Sequence, residues 1–150
     1  MKITICGSIA FFEEMERAKE VLEALGHEVD LPPSKLHDDQ GNIISVQDYY
    51  ALRKSELPAD WVWDRKKWAM KTHFNKVDWS DVILVLNHEK NGIPGYVGAN
   101  TLMEMGLALH LDKPILLLHQ LPEISYKEEL LGMKPIILDG DLNNIAQLSF

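Results

Sequence analysis

The chain predicts an α/β fold: a doubly wound, five-stranded parallel sheet of the flavodoxin or Rossmann-like type, with strand order 2-1-3-4-5. Three observations predict it. The opening reads strand, helix, strand over roughly thirty residues, the length of a parallel crossover. A central run, Val82-Ile-Leu-Val-Leu86, contains no polar residue, as a strand covered on both faces requires. From that run onward, apolar strands alternate with helical patterns.

The elements follow in order. Residues 2–6 are a short β-rich run that stops at Gly7-Ser8. Over 11–25, apolar Phe12, Met15, Ala18, Leu22 and Leu25 recur at helical spacing, with Glu and Lys on the other face. Gly26 supplies the helix stop, and 27–31 is the second strand, closed by Pro32-Pro33. Residues 34–60 are less regular: 38–42 reads as a loop and 46–57 as a short helix carrying Tyr49 and Tyr50. The longer helix 61–79 holds Trp61, Trp63, Trp68, Phe74 and Trp79, expected to cover the sheet or a partner subunit. Strand three is 82–86, followed by helix 101–111 and strand 114–118. Ser125-Tyr-Lys-Glu128 fits a capping box that opens a short helix ending at Leu131. Residues 135–138 form the fifth strand and 142–148 a terminal helix. No repeat, low-complexity tract or linker interrupts this order, so residues 1–150 are expected to form one domain.

Composition narrows the function. With 150 residues and 46% hydrophobic content, the chain can bury a substantial core. The net charge of −8 disfavours nucleic acid or an anionic membrane as the partner and leaves small molecules. Cys6 is the single cysteine, which excludes an intrachain disulfide and a cysteine-rich zinc site. The six histidines form no HExxH motif, so no metal is expected. Neither GxGxxG nor a Walker loop occurs, which argues against NAD and ATP; no cofactor is expected. The N-terminus reads directly as a strand without a signal-peptide layout, and a cytoplasmic location is expected.

In such a sheet, ligands bind beyond the carboxyl ends of the strands, where the winding reverses. Two segments meet there. One is the turn after strand one, with Gly7, Ser8 and Ile9; it reads either as a ligand contact or as a tight turn with a serine cap. The other is the loop from Asn87 to Asn100, with Gly92, Gly95, Gly98 and Tyr96. It exceeds the usual 2–6 residues for such a connection, and ligand binding is the favoured reason. Glu104 follows in an apolar helix. Thr101-Leu-Met-Glu104 fits a capping box, and the same carboxylate fits a nucleophile or base kept ionised by the helix dipole. Spacing alone leaves the two readings even. His73 and Asp78 lie on the preceding helix, where solvated side chains are the ordinary reading, and Asp81 abuts strand three as a structural residue.

Two stretches, Ile5-Cys-Gly-Ser-Ile9 and Ser80 to Ala108 with its Glu104-Met-Gly106, resemble the nucleoside 2-deoxyribosyltransferase-like superfamily, which includes 2′-deoxynucleoside 5′-phosphate N-hydrolases. The resemblance implies a glutamate, Glu104, that attacks the anomeric carbon of a (deoxy)nucleoside or related N-glycoside. It also implies that a homodimer or higher homo-oligomer completes the pocket. Four positions depart from the pattern. Thr4 stands where a tyrosine is frequent and His73 where an aspartate is. Ala10 and Gly98 replace the arginine and serine of phosphate-binding members, so a free nucleoside fits better than a nucleotide. His73, Asp78 or a partner residue is then the surrogate for the aspartate. Asn87 and Asn100 are candidates for the departing base, Ser8 for sugar or base, and Tyr96 for a pocket wall. The alternative is a non-catalytic nucleoside or nucleotide sensor on the same fold. A weaker similarity, to phosphoribohydrolases of the lysine-decarboxylase-like type, is broken by residues inserted into their PGGxGTxxE motif.

Overall fold

The protein is described as a computed structural model covering residues 1–55 and 59–148. Leu57, the expected end of the short helix, lies outside the described residues. The chain runs β1 (Lys2–Gly7), a 3₁₀ turn (Ile9–Phe11), α1 (Phe12–Ala24), β2 (Glu28–Asp30), β3 (Leu36–His37) and β4 (Ile43–Ile44). It continues through α2 (Val46–Arg53), α3 (Asp60–Trp79), β5 (Val82–Leu86), α4 (Ala99–His110), β6 (Ile115–Leu117), α5 (Lys127–Gly132), β7 (Ile136–Ile137) and a last 3₁₀ helix (Leu142–Gln147).

Five strands pair in parallel in the order β2-β1-β5-β6-β7. With β3 and β4 set aside, this is the expected 2-1-3-4-5. The hairpin β3–β4 is an addition that the sequence showed only as a loop. In that loop the Asp38 carboxylate accepts from the Gln40 and Asn42 backbone amides and the Asn42 side chain. Arg65 Nε donates to the His37 carbonyl at 2.7 Å and ties the hairpin to α3.

Side-chain alternation along the strands builds two cores, one on each face. Ile3, Ile5, Val82, Leu84 and Leu86 face α1 and pack with Met15, Leu22 and Ile145. Cys6, Ile83 and Val85 face the other way and pack with Val77, Met105, Ala108 and Leu130. That second face, roofed by α3 and α4, carries the candidate site.

Several local expectations are corrected. The Ser125 capping box does not form: α5 starts at Lys127, behind Tyr126, with no side-chain cap. The terminal segment is a 3₁₀ helix, begun by Asp141 accepting from the Asn143 amide. Leu25 is exposed and Phe11 is buried in the core instead, because the helix is entered through a 3₁₀ turn. Trp63, Trp68 and Trp79 are 46%, 44% and 38% exposed, so of the two expected contacts, sheet or partner subunit, they do not make the first; α3 turns Val62, His73 and Val77 inward. No helix among the described residues is long and apolar enough to cross a membrane.

Candidate active site

A cavity of about 340 Å³ opens at the carboxyl edge of the sheet, between the β1 turn, the β5–α4 loop, α2 and α3. Gly7, Ser8 and Ile9 form one side. A Cβ on Gly7 would lie 2.9 Å from the Met15 methyl and 3.0 Å from the Leu86 carbonyl, so only glycine fits as β1 turns. Ser8 caps the 3₁₀ turn, and its hydroxyl accepts from Lys90 Nζ at 2.7 Å. Lys90 also stands 5.3 Å from the centre of the Tyr96 ring, a cation–π contact. Tyr96 packs against Gly98, and Gly98, Asn100 and Thr101 continue the wall into α4.

The β5–α4 loop keeps its shape by local chemistry. Asn91 and Gly92 both have positive φ (54° and 76°), which turns the chain so that Lys90 and Ile93 pair as a bridge. Gly95 has φ 70°, and a Cβ there would lie 2.2 Å from the Gln120 carbonyl. Asn87 is fully buried and acts as a brace. Its amide donates to the carbonyls of Gly95, His119 and Gln120 and accepts from the His119 amide. It does not line the cavity, since backbone groups saturate it.

Glu104 and His73 meet at the floor. Helix α4 starts at Ala99 with Gly98 as N-cap, which puts Glu104 in the second turn and leaves the Thr101 capping box unformed. The side chain points to α3 instead, where His73 Nε2 lies 3.7 Å from Glu104 Oε2. Both are buried, at 3% and 8% exposure. Neither ring nitrogen of His73, nor Glu104 Oε2, has a hydrogen-bond partner among the described residues. Cys6, at the end of β1, completes the cluster from below: its sulfur and the ligand atoms of His73 and Glu104 lie within 4.8 Å of one another.

Burial governs the charges. It pushes the Glu104 carboxyl up to about 8, against the opposing pull of the Cys6 thiol and the Lys66 ammonium. The expected ionised carboxylate is therefore corrected: one turn further from the helix end, desolvation outweighs the dipole. Burial, with Lys76 adding to it, holds the His73 imidazole down at about 4. Burial also raises the Cys6 thiol, with Glu104 contributing. At neutral pH the pair thus holds one proton, on Glu104, beside a neutral imidazole.

Asp78 is not brought to the site. Helix α3 ends just before β5 begins, so its last turn lies at the amino edge of the sheet, opposite the cavity. Asp78 is exposed there, and its carbonyl accepts from Lys113. Asp81 accepts from the Lys2 amide at 2.7 Å, a strand-to-strand tie.

Further lining residues escaped the sequence reading, among them Tyr49, Tyr50 and Arg53 from α2, Lys66 and Met70 from α3, and Lys90 from the β5–α4 loop. The signal for two of them was present. Lys66, Met70 and His73 fall at i, i+4 and i+7 and share one face of α3. Arg53 lies over the Tyr50 ring at 4.8 Å. Burial and the Arg53 charge pull the Lys66 ammonium below its ordinary value.

With this geometry in place, the chain can be set beside known proteins. It shares its fold with a 2-deoxyribosyltransferase from the psychrotolerant bacterium Bacillus psychrosaccharolyticus, at a TM-score of 0.61 and 19% identity, over 100% of this chain and 93% of that one. It also matches a CMP N-glycosidase, BcmB of Clostridium botulinum, at a TM-score of 0.45 and 17% identity, over 91% and 85% of the two chains. No protein-family model matches the chain, and no curated sequence matches it significantly.

Proposed function

We propose that the chain cleaves the N-glycosidic bond of a nucleoside or nucleotide, or transfers the sugar to a second base, with Glu104 as nucleophile. The observation that carries this reading is the buried Glu104–His73 pair, 3.7 Å apart on the floor of an open cavity. The fold shared with a 2-deoxyribosyltransferase and the Glu104-Met-Gly106 motif support it.

The pair supplies both groups that the reaction needs. On substrate binding, the proton on Glu104 passes to His73 Nε2. The freed carboxylate attacks C1′ as the bond to the base breaks through an oxocarbenium-like state. The imidazolium then gives its proton to the departing nitrogen. Water attacks the glycosyl ester at C1′ and loses a proton to His73, and the released carboxylate recovers that proton. A second base attacking in place of water yields transfer. Ser8, held by Lys90, and Asn100 stand at positions suited to polar contacts with the substrate, and Tyr96 to a wall. A second copy of the chain closing the pocket is part of the same reading.

The test is base release from a panel of nucleosides and nucleotides by Glu104→Gln and Glu104→Ala. Loss should exceed the roughly 10²–10⁴-fold that general acid help supplies. Release at wild-type levels by either variant would end the proposal. Stoichiometric binding without release by the wild type would make the protein a sensor.

A further inference from the structure

We propose that Cys6, His73 and Glu104 form a binding site for a single Zn²⁺ ion, and that the bound ion silences Glu104. The site itself rests on geometry alone; the silencing rests on the nucleophile reading above.

The three donors come from β1, α3 and α4, and all are buried. Their ligand atoms lie within 4.8 Å of one another, and the His73–Glu104 separation is 3.7 Å. Zinc bonds of about 2.0–2.3 Å at tetrahedral angles place donors about 3.4–3.6 Å apart, so the cluster must contract by little more than an ångström at its widest. Two of the three residues also keep uncommitted atoms: both His73 nitrogens and Glu104 Oε2 are buried without a hydrogen-bond partner among the described residues. Such groups gain from an ion that satisfies them.

The donor set selects the metal. One sulfur, one nitrogen and one carboxylate oxygen suit a borderline cation, whereas calcium and magnesium require several oxygens. Thiolate and carboxylate together cancel the charge of a divalent ion, so the filled site is neutral, as an apolar setting demands. His73 and Glu104 line the cavity, which gives the ion a route in and leaves a fourth position for water. Binding displaces the thiol proton of Cys6 and the carboxyl proton of Glu104 to solvent, two per ion. With one oxygen on zinc, the Glu104 carboxylate gives up its negative charge to the ion and is a poor nucleophile toward C1′.

The experiment titrates Co²⁺, a spectroscopic stand-in for zinc, into metal-free protein. One equivalent should bind with a thiolate-to-cobalt charge-transfer band and the release of two protons, and Zn²⁺ should then displace it with no further proton release. Cys6→Ser should remove the band, and His73→Gln should weaken Co²⁺ binding at least about tenfold. The imidazoles of His88 and His119, 3.2 Å apart, offer a competing site, but cobalt there gives no thiolate band. A wild-type spectrum without that band, or unchanged affinity in His73→Gln, would overturn the site. Neither result touches the nucleophile reading. Conversely, wild-type base release by Glu104→Gln in a protein that shows the band would overturn that reading and leave the site standing. Base release unaffected by saturating Zn²⁺ would overturn the silencing.

Discussion

His73 Nε2 stands 3.7 Å from Glu104 Oε2, across the seam where α3 meets α4. An approach of about half an ångström turns that contact into a hydrogen bond along which a proton can pass. The two groups have been moved in opposite directions by the same burial, the acid to about 8 and the imidazole to about 4. A pair displaced in this way is where acid and base roles are to be sought.

The reaction as proposed needs one proton on the pair, which titrates as a unit. Base release, measured as kcat/KM, should be highest between about 4 and about 8, the values that bound the singly protonated pair. Outside each limit it should fall about tenfold per pH unit. A profile flat across both limits removes the pair from the chemistry.

Lys66 tunes the upper limit. Its ammonium favours the ionised form of Glu104. Lys66→Met should therefore move the alkaline limb upward, and Lys66→Arg should hold it in place. Identical limbs in all three proteins would mean that the lysine does not act on Glu104.

Stability should change with pH in a defined sense. Glu104 binds its proton more tightly folded than unfolded, with a value raised from 4.5 to about 8. The folded state therefore loses stability as pH rises through that window. Glu104→Gln carries no such charge, so its advantage over the wild type should be small below about 4.5 and reach roughly 2–4 kcal/mol above about 8. His73 acts in the opposite sense: its value is lowered from 6.5 to about 4, so stability falls as pH drops through that range, alike in both proteins. Urea midpoints at mildly acidic and mildly alkaline pH give the comparison, and parallel curves would refute it.

Gly95→Ala tests the loop brace. The added carbon would sit 2.2 Å from the Gln120 carbonyl, at a φ of 70° that penalises any side chain. A loss of about 2–4 kcal/mol is expected in chemical denaturation. Gly92→Ala shares the positive φ but meets nothing within 4 Å, and should cost about 1 kcal/mol.

The sheet was legible because strand periodicity and crossover length are local signals, and the apolar run at 82–86 admits one reading. Glu104 was legible through its motif, and Gly7, Ser8, Ile9, Tyr96, Gly98 and Asn100 through topology, which brings both loops to one edge. The rest depended on tertiary facts. The capping boxes at Thr101 and Ser125 failed because the helices start at different residues than spacing suggests. Asn87 was placed correctly at the strand end, but sequence cannot tell that backbone groups consume its amide. Arg53 and Tyr50 enter from α2, which is held through Tyr49 against Leu36 of the hairpin and Val62 of α3, and no local pattern announces that contact. No sequence pattern joined Cys6 to His73 and Glu104, because the three are remote along the chain.

That remoteness has a kinetic meaning. Thiol, imidazole and acid converge only where the third helix docks onto the sheet beside the fourth, and no short fragment of the chain holds all three. During refolding, recovery of circular dichroism should therefore precede recovery of turnover, and the lag between them would time that docking step.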